Sequence, residues 1–112
     1  MALSDALAKN EELFRNVNER IEEVSTGVPR DQPLLDFLCE CDRDGCEEKV
    51  QAARAEYEAV RARPTQFIVL PGHEDRRVER VVSTNDRFTI VEKQGQAAAD
   101  AEQTDPRSAG DP

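Results

Sequence analysis

All three cysteines and the only histidine of this chain fall in two short, turn-like segments. Cys39, Cys41 and Cys46 lie in the run CECDRDGC, and His73 follows in PGHE. Three thiolates and one imidazole form a complete tetrahedral ligand set, which suits Zn²⁺ because this ion accepts sulfur and nitrogen ligands. The sequence therefore predicts a Cys3His zinc site with these four residues as its ligands.

The local spacing around the ligands supports this prediction. In a β-strand, residues two positions apart point to the same face, so the first two cysteines can reach one ion together. Gly45 comes directly before Cys46 and can take the positive φ of a tight turn. Pro71 and Gly72 end an apolar strand and place His73 at a turn.

Other arrangements of this site are open at this point. Asp42, Asp44 or Glu74 could replace one ligand and leave a more open site. Without a metal, Cys39 would be a small buried residue of an apolar strand, and His73 would lie on the surface. A closed four-ligand site is structural, whereas catalysis needs an open coordination position or a separate nucleophile and base. The sequence has no nucleophile motif and no glycine-rich phosphate loop, so we predict no catalytic residues; a small metalloenzyme is the alternative if the site is open.

Thiol chemistry supports a second hypothesis, a redox sensor that releases zinc on oxidation. Zinc-bound thiolates can be oxidised, and loss of the metal would unfold a marginally stable domain. A disulfide between Cys39 and Cys41 would be strained because they are so close in the chain, whereas Cys46 could pair with either. Oxidant-triggered zinc release distinguishes this function from a structural site.

Chain length and charge restrict the function further. A length of 112 residues allows at most one domain, and its predicted globular part of about 60 residues is marginal without a metal. An odd number of cysteines argues against a secreted disulfide scaffold, and we find no signal peptide or membrane-spanning apolar run. We therefore predict a cytoplasmic protein. A formal net charge of −9 disfavours binding to nucleic acid or to anionic membrane surfaces.

Residues 1–24 are predicted to form an amphipathic helix. Its apolar residues recur at alternating spacings of four and three, with Asn10 as the polar member of the series. This heptad pattern fits a helix packed on its own domain or a coiled-coil seam, and a single Asn can fix the register of such a seam. We predict that a partner protein or a second copy binds here, through Leu7, Phe14, Val17, Ile21 and Val24.

The rest of the chain divides into a linker, a folded domain and a tail. Residues 25–33 contain Gly and two Pro, so the helix is predicted to project and to hinge. Residues 95–112 have no apolar side chain larger than Ala and are predicted to be a disordered acidic tail. Between them, residues 34–94 are predicted to form strands at 34–39, 47–51, 66–70, 78–82 and 87–93 and one helix at 52–63. The predicted fold class is α+β, an N-terminal amphipathic helix followed by a small zinc-stapled antiparallel β domain with one helix.

Four arginines in the region after the histidine alternate with acidic residues. Mixed exposed charges of this kind usually pair with one another, so we predict internal ion pairs and not a docking patch for an acidic partner or nucleic acid. The arginines are Arg76, Arg77, Arg80 and Arg87, and the acids are Glu74, Asp75, Glu79 and Asp86.

The segments FLCEC, GCEEKV, EYEAVRARPTQF, PGHE, VERVV and RFTIVEK resemble a group of small, largely uncharacterised bacterial proteins of actinobacterial type. The resemblance covers about residues 11–94, including the helix RNVNERIEEV. It implies a free-standing small protein with an N-terminal helix and a Cys/His core, and it implies no activity. Ala52-Ala53 stands where that group has an LT pair, which weakens the predicted helix cap. We therefore predict a non-enzymatic zinc-binding interaction or regulatory protein of a bacterial cytoplasm.

Overall fold

The computed structural model describes residues 3–25, 27, 29, 33–43 and 45–107, with the backbone alone for residues 3–10. Parts of four predictions lie outside the described residues. They are the linker positions 26, 28 and 30–32, the alternative ligand Asp44, the tail residues 108–112 and the side chain of Leu7.

The order of helices and strands agrees with the prediction, and the fold is α+β. Helix, two strands, helix and three strands follow one another, and a further helix comes after them. The elements are α1 (Leu3–Val24), β1 (Leu35–Leu38), β2 (Lys49–Ala52), α2 (Arg54–Arg61), β3 (Gln66–Val69), β4 (Glu79–Thr84), β5 (Thr89–Lys93) and α3 (Gln96–Gln103).

The strands form two antiparallel sheets. β1 and β2 make a hairpin in which Leu38 lies opposite Lys49. In the second sheet β5 is central, with β3 on one side and β4 on the other. A register shift between Val81 and Ser83 bulges β4. The hairpin loop between β1 and β2 is the segment that contains the three cysteines.

One apolar core joins the hairpin, α2 and the second sheet. The rings of Phe37 and Tyr57 stack with centroids 4.5 Å apart, and both side chains are fully buried. Offset stacking of this kind adds to the stabilisation that burial alone provides. Cys39 and Cys41 belong to the same buried cluster, so the first two cysteines lie at the edge of the core.

Helix α1 packs on the domain through polar side chains. Glu11, Arg15 and Asn18 recur at spacings of four and three, and all three are buried. Glu11 pairs with Lys93 of β5, and Arg15 donates a hydrogen bond to the Pro64 carbonyl at 2.9 Å. The prediction that this helix projects from the domain is therefore wrong. Buried polar groups need partners, and here the partners come from distant parts of the chain that a periodicity pattern does not reveal.

The segment after β5 also differs from the prediction. Residues 96–103 form α3, so the prediction of a disordered tail is wrong for the described residues up to 107. Asp105 forms a buried ion pair with Arg61. Arg107 donates to Glu19 of α1 at 2.6 Å and to Glu58 of α2 at 2.8 Å. These ion pairs fix the segment after β5 on the domain. Its composition alone contains too little apolar surface to predict an ordered structure.

Candidate metal centre

The loop between β1 and β2 begins and ends close together. The Cys39 N–H donates to the Glu48 carbonyl at 2.9 Å, which extends the hairpin ladder by one residue beyond Leu38. Cys46 lies two residues before Glu48, so the first and third cysteines are brought to the same end of the hairpin. The two strands that flank the ligand loop were predicted from the sequence, and the structure confirms both.

A tight turn after β3 carries His73. The His73 N–H donates to the Leu70 carbonyl at 3.0 Å, and Gly72 has a φ of 90°. Proline at the second position and glycine with positive φ at the third are the preferences of a type II turn. The predicted role of Pro71 and Gly72 is therefore confirmed.

A second turn presents Cys46 to the site. Its N–H donates to the Arg43 carbonyl at 3.2 Å, and Gly45 has a φ of 75°. The side chain of Arg43 then crosses to the other ligand turn, where its Nη2 donates to the Gly72 carbonyl at 2.6 Å. This tie between the two ligand-bearing loops was not predicted, because an exposed arginine in a charged turn has no distinctive sequence pattern.

The four predicted ligands meet in one cluster. One ligand atom from each of Cys39, Cys41, Cys46 and His73 lies within 4.8 Å of the others. His73 Nδ1 is 3.6 Å from Cys39 Sγ and 3.7 Å from Cys46 Sγ. Zinc bonds of about 2.3 Å to sulfur and about 2.0 Å to nitrogen place tetrahedral ligand atoms roughly 3.6 Å apart. The cluster has the size and chemistry to bind one metal ion, and the alternative that leaves His73 apart on the surface is wrong.

The two acidic alternatives within the described residues, Asp42 and Glu74, are engaged elsewhere. Among the described residues, the group that could hold a metal consists of the three cysteines and the histidine. A carboxylate oxygen of Glu74 accepts the Gly72 N–H at 3.0 Å within the turn. Burial, together with a hydrogen bond shared with Asp75, raises the pKa of Asp42 to about 7. Neither carboxylate belongs to the cluster.

Backbone N–H groups donate to each sulfur. The Leu70 N–H lies 3.2 Å from Cys39 Sγ. The N–H groups of Arg43 and Glu48 donate to the other two sulfurs, each from the residue two positions beyond its cysteine. Hydrogen bonds of this kind orient metal ligands and stabilise thiolate charge. Arg43 lies in the turn before Cys46, Glu48 lies after this cysteine, and Leu70 directly follows β3.

The three thiols differ in acidity. A hydrogen bond from the Cys39 thiol, aided by His73, lowers the pKa of Cys41 to about 4. The same hydrogen bond, together with burial, raises the pKa of Cys39, and burial raises the pKa of Cys46. Of the three sulfurs, Cys41 therefore holds its proton least tightly. A metal ion would replace the remaining protons, since only thiolates are strong ligands.

Glu40, between the first two cysteines, is completely buried. Its N–H donates to the Ile68 carbonyl at 2.8 Å, and its carboxylate accepts the Ile68 N–H at 3.1 Å. The other oxygen accepts the Tyr57 hydroxyl and Asn18 Nδ2, each at 2.8 Å. The role of Glu40 could not be predicted from the sequence, because its hydrogen-bond donors come from three elements that are distant in the chain.

The predicted partner surface on α1 is divided between two environments. Phe14 and Ile21 are half-buried, and Ile21 packs against the core. Val17 and Val24 are exposed by 38% and 67%, and the adjacent Leu13 by 56%. These three side chains form an apolar row on the solvent side of the helix. Partner binding through the predicted residues stays a prediction; these are Leu7, Phe14, Val17, Ile21 and Val24.

The arginines that follow His73 all take part in ion pairs. The pairs are Arg76–Glu74, Arg77–Asp75, Arg80–Glu92 and Arg87–Glu56, with nitrogen–oxygen distances of 3.7, 2.8, 2.7 and 2.7 Å. The predicted pairing with neighbouring acids is confirmed for Arg76 and Arg77. Arg80 and Arg87 instead pair with Glu92 on β5 and Glu56 on α2, which are not among the predicted acids. This part of the surface is therefore not a free cationic patch.

No helix in the described part of the chain is both long enough and apolar enough to cross a membrane. Comparison with protein-family models, curated proteins and solved structures finds no match. The resemblance to small actinobacterial-type proteins stays a prediction, so the function must be argued from the site and not from the fold.

Proposed function

We propose that this chain is a small zinc-binding protein whose Cys3His centre is structural, and that it acts as an interaction or regulatory module in a bacterial cytoplasm. The observation that carries the proposal is the convergence of the four ligand atoms within 4.8 Å. Thiolate and imidazole ligands favour Zn²⁺ over Mg²⁺ and Ca²⁺, which prefer oxygen.

The position of the cluster supports a structural role. Three ligands extend from the β1–β2 hairpin and the fourth follows β3, so a bound ion would connect the two sheets. Four protein ligands complete a tetrahedral zinc shell and leave no coordination position for a substrate or for water. For this reason we propose a non-catalytic centre, and the small metalloenzyme considered from the sequence has no support from this ligand geometry.

Metal content tests the proposal directly. Protein purified under reducing conditions is expected to contain one zinc ion per chain by elemental analysis. His73→Ala should lose zinc or bind it more weakly, because it removes one of four ligands. Glu47→Ala is the matched control, since this exposed residue adjoins Cys46 and belongs to no part of the cluster. Absence of zinc from the wild-type protein would overturn the proposal.

Two further measurements test the ligand set and its structural role. Cobalt(II) in the wild-type site should show sulfur-to-metal charge transfer and intense tetrahedral absorption bands, and His73→Ala should shift these bands. A chelator should lower the midpoint of thermal unfolding, because zinc that binds only the folded state stabilises it by mass action. An unchanged midpoint would contradict a structural role even if zinc binds.

A redox sensor is the second candidate function, favoured by the unequal exposure of the sulfurs. Cys39 and Cys41 are buried, whereas Cys46 is only half-buried and is the one that an oxidant can reach first. Hydrogen peroxide would oxidise two metal-bound thiolates to one disulfide and, with two protons from the solvent, be reduced to two water molecules, with release of the metal. Rapid zinc release at low peroxide, with a disulfide that includes Cys46 found by mass spectrometry, supports this function. Slow release supports the structural centre alone.

A further inference from the structure

The side-chain amide of Asn18 binds the end of β1 as a neighbouring strand would. Its Oδ1 accepts the Leu38 N–H at 2.7 Å, and its Nδ2 donates to the Leu38 carbonyl at 2.9 Å. The same Nδ2 donates to a carboxylate oxygen of Glu40 at 2.8 Å. One buried side chain of α1 therefore contacts the residue before the first cysteine and the residue between the first two.

Glu40 is held from two further directions. Tyr57 of α2 donates its hydroxyl to the same carboxylate oxygen at 2.8 Å, and Ile68 of β3 donates its N–H to the other at 3.1 Å. Asn18, Glu40 and Tyr57 are all fully buried. A buried carboxylate is destabilising when it loses its hydrogen-bond donors. The Glu40 side chain is therefore fixed in one position as long as all of its donors are in place.

The position of Glu40 determines how the first two sulfurs are presented. Cys39 and Cys41 are its immediate neighbours, and its own N–H is fixed to Ile68 at 2.8 Å. When both the main chain and the side chain of Glu40 are fixed, the backbone that carries the two ligands has little freedom to separate or rotate them. Groups that orient ligands in this way strengthen metal binding without touching the ion.

We infer that Asn18 and Glu40 are positioning residues of the metal centre, and that they couple the packing of α1 on the domain to metal binding. The inference rests on the proposed function, since it requires a metal in the Cys3His cluster. The coupling acts in both directions: α1 raises the affinity for zinc, and zinc strengthens the packing of α1. The apolar row on α1 is thereby linked to the metal state of the protein.

The first test compares two amide deletions on the same helix. Asn18→Ala removes the contacts to Leu38 and Glu40, whereas Asn16→Ala removes an exposed amide two residues away. Zinc affinity is measured in the full chain by competition with a chromophoric chelator. Asn18→Ala should weaken binding roughly 10-fold, the lower end of the effect of residues that orient ligands. Asn16→Ala should stay within about twofold of the wild type, since surface substitutions have small effects.

A second variant tests the network from another element. Tyr57→Phe removes one donor to Glu40 and keeps the ring that stacks on Phe37. It should weaken zinc binding roughly threefold, in line with the loss of one buried hydrogen bond. In Asn18→Ala and in Tyr57→Phe, the absorption bands of the cobalt(II) form should also shift, because the sulfurs of Cys39 and Cys41 are held in a less uniform geometry. A role in folding alone would lower thermal stability and leave these bands unchanged.

The effect of zinc on the packing of α1 is measured by amide hydrogen exchange. Zinc should slow exchange in residues 11–22 of α1 in the wild type and in Asn16→Ala, and should have no such effect in Asn18→Ala. Equal zinc affinity in the two asparagine variants, or exchange in wild-type α1 that zinc does not change, would overturn the coupling and leave the metal centre intact. Wild-type protein without zinc binding would overturn the metal centre itself, and the coupling with it.

Discussion

Glu40 and Ile68 are joined by two hydrogen bonds, one from the main-chain N–H of Glu40 to the Ile68 carbonyl at 2.8 Å and one from the Ile68 N–H to the Glu40 carboxylate at 3.1 Å. On its other side, β3 pairs with β5, where Ile68 lies opposite Ile90. The segment with Cys39, Glu40 and Cys41 thus covers the outer edge of β3. The Glu40 carboxylate accepts the hydrogen bond that a backbone carbonyl of a neighbouring strand would otherwise accept. A covered edge is protected from pairing with other chains, and here the cover also carries the ligands.

Gly72→Ala is expected to weaken the metal centre. Gly72 has a φ of 90°, which L-residues with a Cβ rarely adopt, and no heavy atom beyond its two chain neighbours lies within 4 Å of the position that a Cβ would take. The effect therefore comes from the backbone and not from a clash, and it should cost about 1 kcal/mol of unfolding free energy. Zinc affinity should fall as well, because this turn presents His73. Chelator competition and urea unfolding measure the two effects.

Gly27→Ala is the matched control for that experiment. Gly27 also has open space around its Cβ position, and its φ does not lie in the left-handed region. The substitution should leave zinc affinity unchanged and change stability by less than about 1 kcal/mol. Equal losses in the two variants would contradict the role assigned to the backbone of Gly72.

Arg15→Ala is expected to destabilise the fold by about 2–4 kcal/mol, because it leaves buried acceptors unpaired and opens a cavity. The Arg15 guanidinium also lies 4.7 Å from the centroid of the Phe67 ring. Its hydrogen-bond acceptors are the carbonyls of Pro64 and Ala101 and the hydroxyl of Thr104. Arg20→Ala, at an exposed i,i+3 ion pair of the same helix, should change stability by less than about 0.5 kcal/mol. Urea unfolding that shows equal effects would contradict the polar packing of α1.

The stability of the protein is expected to fall as the pH rises from 6 to 9. Burial raises the pKa of Glu11 to about 8, against the opposing effect of Lys93 and with added repulsion from Glu79 and Asp42. The folded state therefore binds this proton more tightly than the unfolded chain, so the stabilisation is present at low pH and is lost as the pH passes the folded pKa. The expected decrease in unfolding free energy from pH 6 to pH 9 is on the order of 2–3 kcal/mol.

Two variants isolate the contribution of Glu11 to that pH dependence. Glu11→Gln keeps the shape of the side chain without an ionisable proton, so its unfolding free energy should vary less between pH 6 and 9. Glu23→Gln lies on the exposed side of the same helix and should retain the wild-type pH dependence. A Glu11→Gln curve that follows the wild type would show that another group titrates in this range.

The exposed apolar row on α1 is expected to tolerate charge without loss of stability. Val17→Glu and Val24→Glu alter side chains that are 38% and 67% exposed, so the unfolding free energy should change by about 0.5 kcal/mol or less. If the row pairs two copies of the chain, sedimentation should show a wild-type dimer at micromolar concentration and monomeric variants. A wild-type monomer under these conditions would contradict the homodimer and leave a different protein as the predicted partner.

Most of the fold could be predicted from local sequence patterns, because strand and turn preferences depend on individual residues and their chain neighbours. The β-branched runs at residues 66–70 and 87–93 became β3 and β5 within two residues of their predicted ends, since such residues favour strands. The ligands were predictable because soft ligands are rare here and fall at two turns that Gly45 and Gly72 can form. The polar face of α1 was not predictable, because Glu11, Arg15 and Asn18 are buried only when their distant partners surround them.

The amino-acid sequence by itself determined the order of the elements, the turns and the identities of the four candidate ligands, since strand propensity, positive φ and thiol chemistry belong to individual residues. Only the tertiary structure decided how these parts combine. Successive residues on a helix are separated by about 100°, so the row of Glu11, Arg15 and Asn18 lies nearly opposite the exposed apolar row of Leu13, Val17 and Val24. The buried row became the contact face because Lys93, Glu40 and the Pro64 carbonyl supply the opposing groups. Desolvated polar groups are stable only with such partners, and long-range contacts alone can bring them together.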